Sequence, residues 1–383
     1  MTDRSRPRLL ILSFSPIVSD ARLLKQVRRF RDDYAVTTCG YGDAPEGVDE
    51  HVRIPDDAPY NDVNAKLLAV RQFSVAYWRT SAVRAAHRAL AGREFDAVLT
   101  NDLETVPLAR RHWPSRIIHA DLHEYSPRRH EHVADWVRWR QPYYEWLCRA
   151  HVSRVASTST VSGGLARQYA EQFGFHPEVV TNAAPYADLA ARPTGEPLRL
   201  VHSGAGMADR DLMLMIDAVD LARTDVTLDL FLTPNNPRYV DDLRARASQV
   251  EGVTVHDPVP YERLVATLNE YDVGVFILPP INFSYRWALP NKFFDYVQAR
   301  LGVVVGPSEE MAGPVRAHGI GAVAKAFDAP ALAEVIDGLS PEQVTAWKRA
   351  SDAAAHELSA ENVAHVWARA VDAIVAGRPG GGR

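Results

Sequence analysis

Short runs of aliphatic and β-branched residues alternate along this chain with longer stretches in which apolar residues recur every three or four positions. This is the pattern of strands alternating with helices. The run RLLILSF at 8–14 reads as a buried strand. A polar loop at 15–19 follows, then helical spacing over 20–31, with Leu23, Leu24, Val27 and Phe30 on one face. A second strand is predicted at 34–39, and a strand–loop–helix–strand opening implies parallel pairing. Residues 61–91 read as an interrupted helical region. Strands are predicted at 97–100 and 117–120, ending in Asn101-Asp102 and Asp121-Leu122-His123-Glu124. Helices at 103–111 and 135–151, a strand at 155–161, a helix at 163–173 capped by Ser162 and a last strand at 179–182 complete this half. In open parallel sheets ligands bind beyond the carboxyl ends of the strands, which is where these polar residues fall.

The alternation restarts after ARPTGEP at 191–197, a polar stretch with prolines and a glycine that reads as the linker. Strands at 198–202, 226–232, 253–256, 273–278 and 303–305 are interleaved with helices at 210–222, 239–249, 262–271 and 293–300, and helices at 329–339, 341–355 and 361–376 close the chain. The expectation is an α/β protein of two doubly wound Rossmann-like domains facing a cleft, at 1–190 and 191–360. A helix within 361–383 would pack back on the first domain and run into the flexible tail RPGGGR.

Composition narrows the classes. A chain of 383 residues is long enough for two domains, and 46% hydrophobic with 24% charged residues is ordinary for a soluble protein. A net charge of −5 gives no reason to expect a nucleic-acid partner. Two cysteines, Cys39 and Cys148, make neither a disulfide framework nor a zinc cluster, so a reducing compartment is expected. No apolar run approaches a membrane span, and the core at 9–12 is too short for a signal peptide, so a cytoplasmic location is expected.

Candidate chemistry gathers in residues 284–306, SYRWALPNKFFDYVQARLGVVVG. Here a proline-bearing loop opens a helix that Lys292 enters, with Asp295 just inside. A cation beside unpartnered helix-start amides suits phosphate, and a carboxylate a few positions on suits sugar hydroxyls. The same residues also describe a start-capped helix packing an aromatic pair on a sheet. Elsewhere, Gly204-Ala205-Gly206 follows a strand, but Asp209 stands where a dinucleotide fingerprint has its third glycine. The first loop, SFSPIVSDAR, lacks such glycines altogether, so no nicotinamide cofactor is placed.

Taken in order, SDARLLKQVRRF, NDLETVPLA, HADLHEYSP, STSTVSGGLARQY, TNAAP, HSGAGMADRDLMLMIDAV and LPNKFFDYVQARLGVVVG resemble segments of the GT-B glycosyltransferases of the retaining family 4 type (glycosyl transferases group 1). Within that family they are similar to a subset with a PNK-x-F-[ED]-Y motif. The resemblance spans nearly the whole chain, and the last segment is the most specific. It implies transfer of a sugar from a nucleotide-sugar donor, with retention of configuration, to a sugar, lipid-linked or small-molecule acceptor in cell-surface polysaccharide or glycoconjugate synthesis. It implies no cofactor and no metal. The donor would bind the second domain and the acceptor mainly the first. A sugar-nucleotide epimerase of the same fold and a non-catalytic partner of a glycosyltransferase are the alternatives.

Residue by residue, the resemblance puts Arg210 and Lys292 on the diphosphate and His123 at the reacting centre. It assigns Gly204, Gly206, Asn291 and Asp295 to the donor, with Asp295 in the place of a ribose-binding glutamate, and Ser15, Asp102 and Glu104 to the acceptor side. Three departures stand out. Trp287 occupies the place of the family's first glutamate, which leaves its donor-sugar contact to Asn282 or Tyr285. Ser13-Phe14-Ser15-Pro16 replaces glycine-rich contacts, and Arg300 replaces the glycine of an A-G-L-P segment. The segment DWVRWRQPYY at 135–144 reads either as a helix packing aromatics on its own domain or as a peripheral membrane face meeting a lipid-linked acceptor.

Overall fold

The computed structural model describes residues 6–377. The first five residues and the tail RPGGGR, expected to be flexible, lie outside the described residues. The chain divides into two compact units, one made of residues 6–181 with 364–377 and the other of Asn182–Val363. Among the described residues no helix is long and apolar enough to cross a membrane.

The first unit holds a seven-stranded sheet with the order β3-β2-β1-β4-β5-β6-β7, formed by β1 (Arg8–Pro16), β2 (Ala35–Tyr41), β3 (Glu50–Arg53), β4 (Ala97–Asn101), β5 (Ile118–Leu122), β6 (Ser157–Thr160) and β7 (Glu178–Val179). Every pairing is parallel. Leu9, Leu10, Ile11 and Leu12 are fully buried, so β1 reads as an unbroken apolar run rather than an alternation. The strand order reverses between β1 and β4, which leaves a crevice beyond their carboxyl ends. The helix Ala21–Phe30 starts where the Asp20 carboxylate accepts the amides of Arg22 and Leu23. The region 61–91 resolves into helices Ala65–Ala69, Phe73–Arg79 and Ser81–Leu90, broken near Arg71, whose φ is +56°. The segment 135–144 forms a π-helical turn, Trp136–Arg140, leading into the helix Gln141–Ala150. Tyr143 and Tyr144 are buried there, while Val137 is 40% exposed. Two sequence expectations change. The strand EHVR was too short and polar to be read, and the strand expected at 179–182 is only Glu178–Val179.

The second unit repeats the design with six strands in the order β10-β9-β8-β11-β12-β13. They are β8 (Leu198–Ala205), β9 (Val226–Thr233), β10 (Val253–His256), β11 (Val273–Phe276), β12 (Gly302–Val305) and β13 (Gly321–Val323). The reversal now falls between β8 and β11. Arg210 was expected to open a helix. It instead closes the 3-10 turn Ala208–Arg210, and the helix Met213–Leu221 begins after Asp211 at φ +50°. The helix Asn291–Gln298 ends before Arg300, which adopts φ +60°, a conformation that favours glycine. Arg300 holds it because its buried guanidinium donates to Asp352 (2.6 Å) and to the carbonyls of Gln298 (2.6 Å) and Ala187 (2.8 Å).

The change of unit at 181/182 precedes the proline-bearing stretch expected to be the linker. That stretch is tied into the second unit. Arg192 donates to Glu270 (2.9 Å), Thr194 pairs with Thr345 (2.7 Å), and the Gly195 amide reaches Asp272 (3.3 Å). Asp272 is fully buried and also accepts from Arg199 and Lys348, each at 2.9 Å, so a buried charge organises what composition alone would leave loose. The helix Ala360–Val375 begins in the second unit and continues into the first. There Trp367 lies under the Arg22 guanidinium at 4.8 Å, and Asp372 accepts from Tyr34 Oη at 2.5 Å.

Removing the buried Asp272 carboxylate leaves the almost fully buried Lys348 amine without its counter-charge, with the Tyr271 carbonyl left to accept from it. Asp272→Ala is therefore expected to cost about 3–5 kcal/mol. Urea unfolding of the full chain measures this, and an unchanged midpoint would show that the pair does not hold the unit.

Candidate active site

In the first unit the carboxyl edge of the sheet carries a row of polar residues. Asn101 of β4 is in register with Asp121 of β5, and Asp121 with Ser159 of β6. Arg22 and Gln26, one turn apart on the helix above, reach this row. Asp121 accepts from Arg22 Nε and Nη2 (both 2.7 Å), from Ser159 Oγ (2.5 Å) and from Gln26 Nε2 (3.0 Å). Burial works against its charge, but Arg22, aided by His123, overcomes this and holds the carboxyl well below the usual range. Gln26 and Asn101 exchange amide hydrogen bonds of 2.9 and 3.0 Å.

His123 sits at the rim of this network. Its Nε2 lies 3.0 Å from Asn101 Oδ1 and 3.4 Å from Asp121 Oδ2, its Nδ1 lies 3.6 Å from Asp102 Oδ2, and its amide donates to Asp102 Oδ1 (3.2 Å). Burial would lower the imidazole pKa, but Asp102 and Asp121 raise it above its ordinary value, favouring the form with both nitrogens protonated. Asp102 holds this place at φ +64°, a conformation that costs a non-glycine residue roughly 1–3 kcal/mol.

Ser15, Asp102 and Glu104 line one small cavity of about 130 Å³, together with Tyr60, Glu124 and Arg129. His123 is not among its lining residues. The Ser15 hydroxyl donates to Asp20 (3.0 Å), so the cavity wall is tied to the helix cap. Burial, then the neighbouring Asp102, pushes Glu104 up to about 7. Burial also raises Glu124, against the pull of Arg129, with which it forms an ion pair.

The second unit brings most of the expected donor-side residues into one cavity of about 560 Å³. Gly204, Arg210, Asn291, Lys292 and Asp295 form a polar side, and Phe231, Pro258, Val259, Tyr261 and Leu264 an apolar one. Gly204, at the end of β8, has φ +150°. A Cβ there would lie 2.6 Å from Lys292 Nζ and 3.8 Å from Arg210 Nη1, so the missing side chain is the space onto which both cations converge. Lys292 enters on the first turn of the helix Asn291–Gln298, whose opening amides have no carbonyl one turn back. Burial and then Arg210 hold its amine well below the ordinary lysine range. Asp295, 3% exposed, lies one turn on.

Four expected or noted positions fall elsewhere. Gly206 makes room for the helix Pro237–Ala247, since a Cβ would lie 2.4 Å from Val240 Cγ2. The Asn282 side chain accepts the Tyr285 amide (2.9 Å) and caps the turn Phe283–Arg286. Tyr285 donates to Asp209 (2.7 Å), beside Arg210. Trp287 is buried, with Arg286 stacked over it at 5.0 Å. Sequence reading had not singled out Arg22, Gln26, Asp121, Glu124, Arg129, His202, Phe231 or Tyr261 as site residues. The one available signal was Arg22 and Gln26, two polar residues at i, i+4 on a helix otherwise read by its apolar face. Among the described residues no group of three or more His, Cys, Asp or Glu is arranged to hold a metal ion.

The raised Glu104 pKa carries a sign that can be tested. A carboxyl that titrates near 7 when folded, but in the ordinary range when unfolded, favours folding at low pH and loses that contribution as pH rises through 7. Glu104→Gln is expected to be more stable than wild type by roughly 1–3 kcal/mol at pH 8 and to lose the advantage near pH 4. Urea midpoints at the two pH values measure the difference. A pH-independent difference would contradict the assignment.

No family model and no curated protein matches the sequence. Solved structures do match. The sucrose-phosphate synthase of Thermosynechococcus elongatus is 12% identical with a TM-score of 0.71, over 97% of this chain and 100% of that one. A UDP-forming alpha,alpha-trehalose-phosphate synthase from Burkholderia vietnamiensis is 12% identical with a TM-score of 0.69, over 97% and 99%. Anabaena HepE, in complex with UDP and glucose, is 13% identical with a TM-score of 0.65, over 96% and 100%. At such identities the likeness establishes the fold alone: two Rossmann-like α/β domains of the GT-B kind.

Proposed function

We propose that this protein is a nucleotide-sugar-dependent glycosyltransferase acting with retention of configuration, in cell-surface polysaccharide or glycoconjugate synthesis. The observation that carries the reading is the convergence of Arg210 and Lys292 on the empty side of Gly204, at a helix start and beside Asp295. A diphosphate fits this chemistry: two cations and helix-start amides meet its charge, which grows on the leaving oxygen as the sugar departs. Asp295 is the proposed partner of the ribose hydroxyls. The apolar side formed by Phe231, Tyr261 and Leu264 is the proposed surface for the base.

The remaining roles follow the same scheme. His123, oriented by Asn101, Asp102 and Asp121, would hold the donor sugar, and Ser15, Asp102 and Glu104 would bind acceptor hydroxyls. Attack on the face the nucleotide leaves lets the departing phosphate take the acceptor's proton, so no enzyme nucleophile is needed. The two cations would take the place of a metal at the diphosphate. The proposed setting is cytoplasmic, with peripheral membrane contact if the acceptor is lipid-linked. The UDP-forming and UDP-bound neighbours make a UDP-sugar the first donor to test. Trp287 favours a second reading, a non-catalytic partner of a glycosyltransferase. Donor hydrolysis by the purified chain would argue against it, and recovery of an epimerised sugar nucleotide would turn the reading to an epimerase.

A thermal-shift screen against UDP-, GDP- and dTDP-sugars is expected to identify a stabilising donor. With that donor, Arg210→Ala and Lys292→Ala are each expected to lower kcat/KM by about 10²–10³-fold. Near-normal turnover in both variants would remove the assignment.

A further inference from the structure

His202 lies behind the two cations, fully buried on β8. Its Nδ1 is 2.9 Å from the carbonyl oxygen of Val275, which only accepts, so Nδ1 carries the proton and Nε2 presents a lone pair. That lone pair faces Lys292 Nζ at 3.2 Å. The Phe276 ring stacks on the imidazole, with centroids 5.6 Å apart, and Lys292 Nζ stands 4.0 Å over the same ring. Among the described residues Lys292 forms no ion pair. The charged and titratable groups that face it are His202 from β8, Arg210 from the turn after β8, and Asp295 on its own helix. Burial and the neighbouring Lys292 also hold His202 well below its ordinary range, which keeps it a neutral acceptor. The amine is thus surrounded by a lone pair, an aromatic face and the Arg210 guanidinium, beside Gly204.

We propose that His202 is the positioning residue for Lys292, and that the pair makes anion binding proton-coupled. Burial and the neighbouring Arg210, with a neutral lone pair as its facing acceptor, hold the Lys292 amine toward its unprotonated form. When a diphosphate enters, the amine takes one proton from solvent and becomes the ammonium that the phosphate pairs with, while the His202 lone pair keeps it aimed across Gly204. One N–H bond forms, no bond in the ligand breaks, and the charge gained by the protein offsets charge brought by the ligand. This rests on the reading of the cavity as a diphosphate site. It adds a direction of pH dependence that the reading by itself does not contain, because a lysine already charged would bind without taking up a proton.

The test is calorimetry of UDP binding to the full chain, in buffers of different ionisation enthalpy, from near neutrality to about pH 9. Wild type is expected to take up close to one proton, with affinity falling toward about tenfold per pH unit above the depressed lysine value. Lys292→Met should bind more weakly, without uptake and with a flat pH profile. His202→Ala should lower affinity by about tenfold or more, and His202→Gln, whose amide oxygen can still accept from the amine, should recover most of it. Circular dichroism of both variants checks that they are folded. Binding without proton uptake, or a His202→Ala variant with unchanged affinity and pH slope, would overturn this proposal and leave the diphosphate reading standing. Failure of UDP, GDP and dTDP all to bind would overturn both.

Discussion

A buried amine and a guanidinium converge on one glycine in the second unit, and the character of its cavity follows from that convergence. Arg210 arrives from the turn after β8, Lys292 from the first turn of the next site helix, and the absent side chain of Gly204 is where they meet. The nearest carboxylate on the same wall, Asp295, lies a turn away along the helix. Burial makes a positive charge on Lys292 costly, and the neighbouring Arg210 makes it costlier. An anion relieves both terms at once.

The first unit solves the opposite problem. Asp121 is a negative charge in the middle of a sheet, and it is tolerated because Arg22, Gln26 and Ser159 satisfy it. The same guanidinium donates to the Val180 carbonyl (2.9 Å) and lies over Trp367, so one side chain joins the first helix, β5, the end of β7 and the last helix. His123 depends on this arrangement. Its orientation comes from Asn101, Asp102 and Asp121, of which Asn101 and Asp121 are also held by Gln26. The small cavity beside it gathers Asp102, Glu104 and Glu124 against Arg129, so its protonation state changes near neutrality. One unit thus brings a guanidinium and an amine together, and the other a group of carboxyls.

The alternation of apolar runs and helical spacing was enough to read two parallel α/β halves, because a strand buried on both faces must be apolar throughout and a crossover must intervene between parallel neighbours. The start at Asp20, the helix Gly163–Phe173 and the strand Val253–His256 were legible for the same local reasons. The short strands EHVR and Glu178–Val179 were not, since a few polar residues become a strand only when a neighbour offers them a ladder. The stretch 191–197 read as a linker because proline and glycine mark local punctuation, whereas its anchoring by the buried carboxylate of Asp272, distant in sequence, could not be read locally.

The same division holds at the candidate site. Sequence by itself determined which residue types stand at the carboxyl ends of the strands and at the start of the helix Asn291–Gln298, and the family resemblance proposed Gly204, Arg210, Lys292 and Asp295 for one kind of chemistry. It also marked Trp287 as a departure from the expected carboxylate. Only the tertiary structure decided that Gly204 is the meeting point while Gly206 is a packing glycine, that Asn282 caps a turn, and that His202 holds Lys292. These outcomes depend on distances between residues as many as 90 positions apart, such as His202 and Lys292. A local pattern fixes the direction of a strand or helix, but not which side chains from separate elements end within hydrogen-bond reach, and it is that reach, together with burial, that sets the charge of each group.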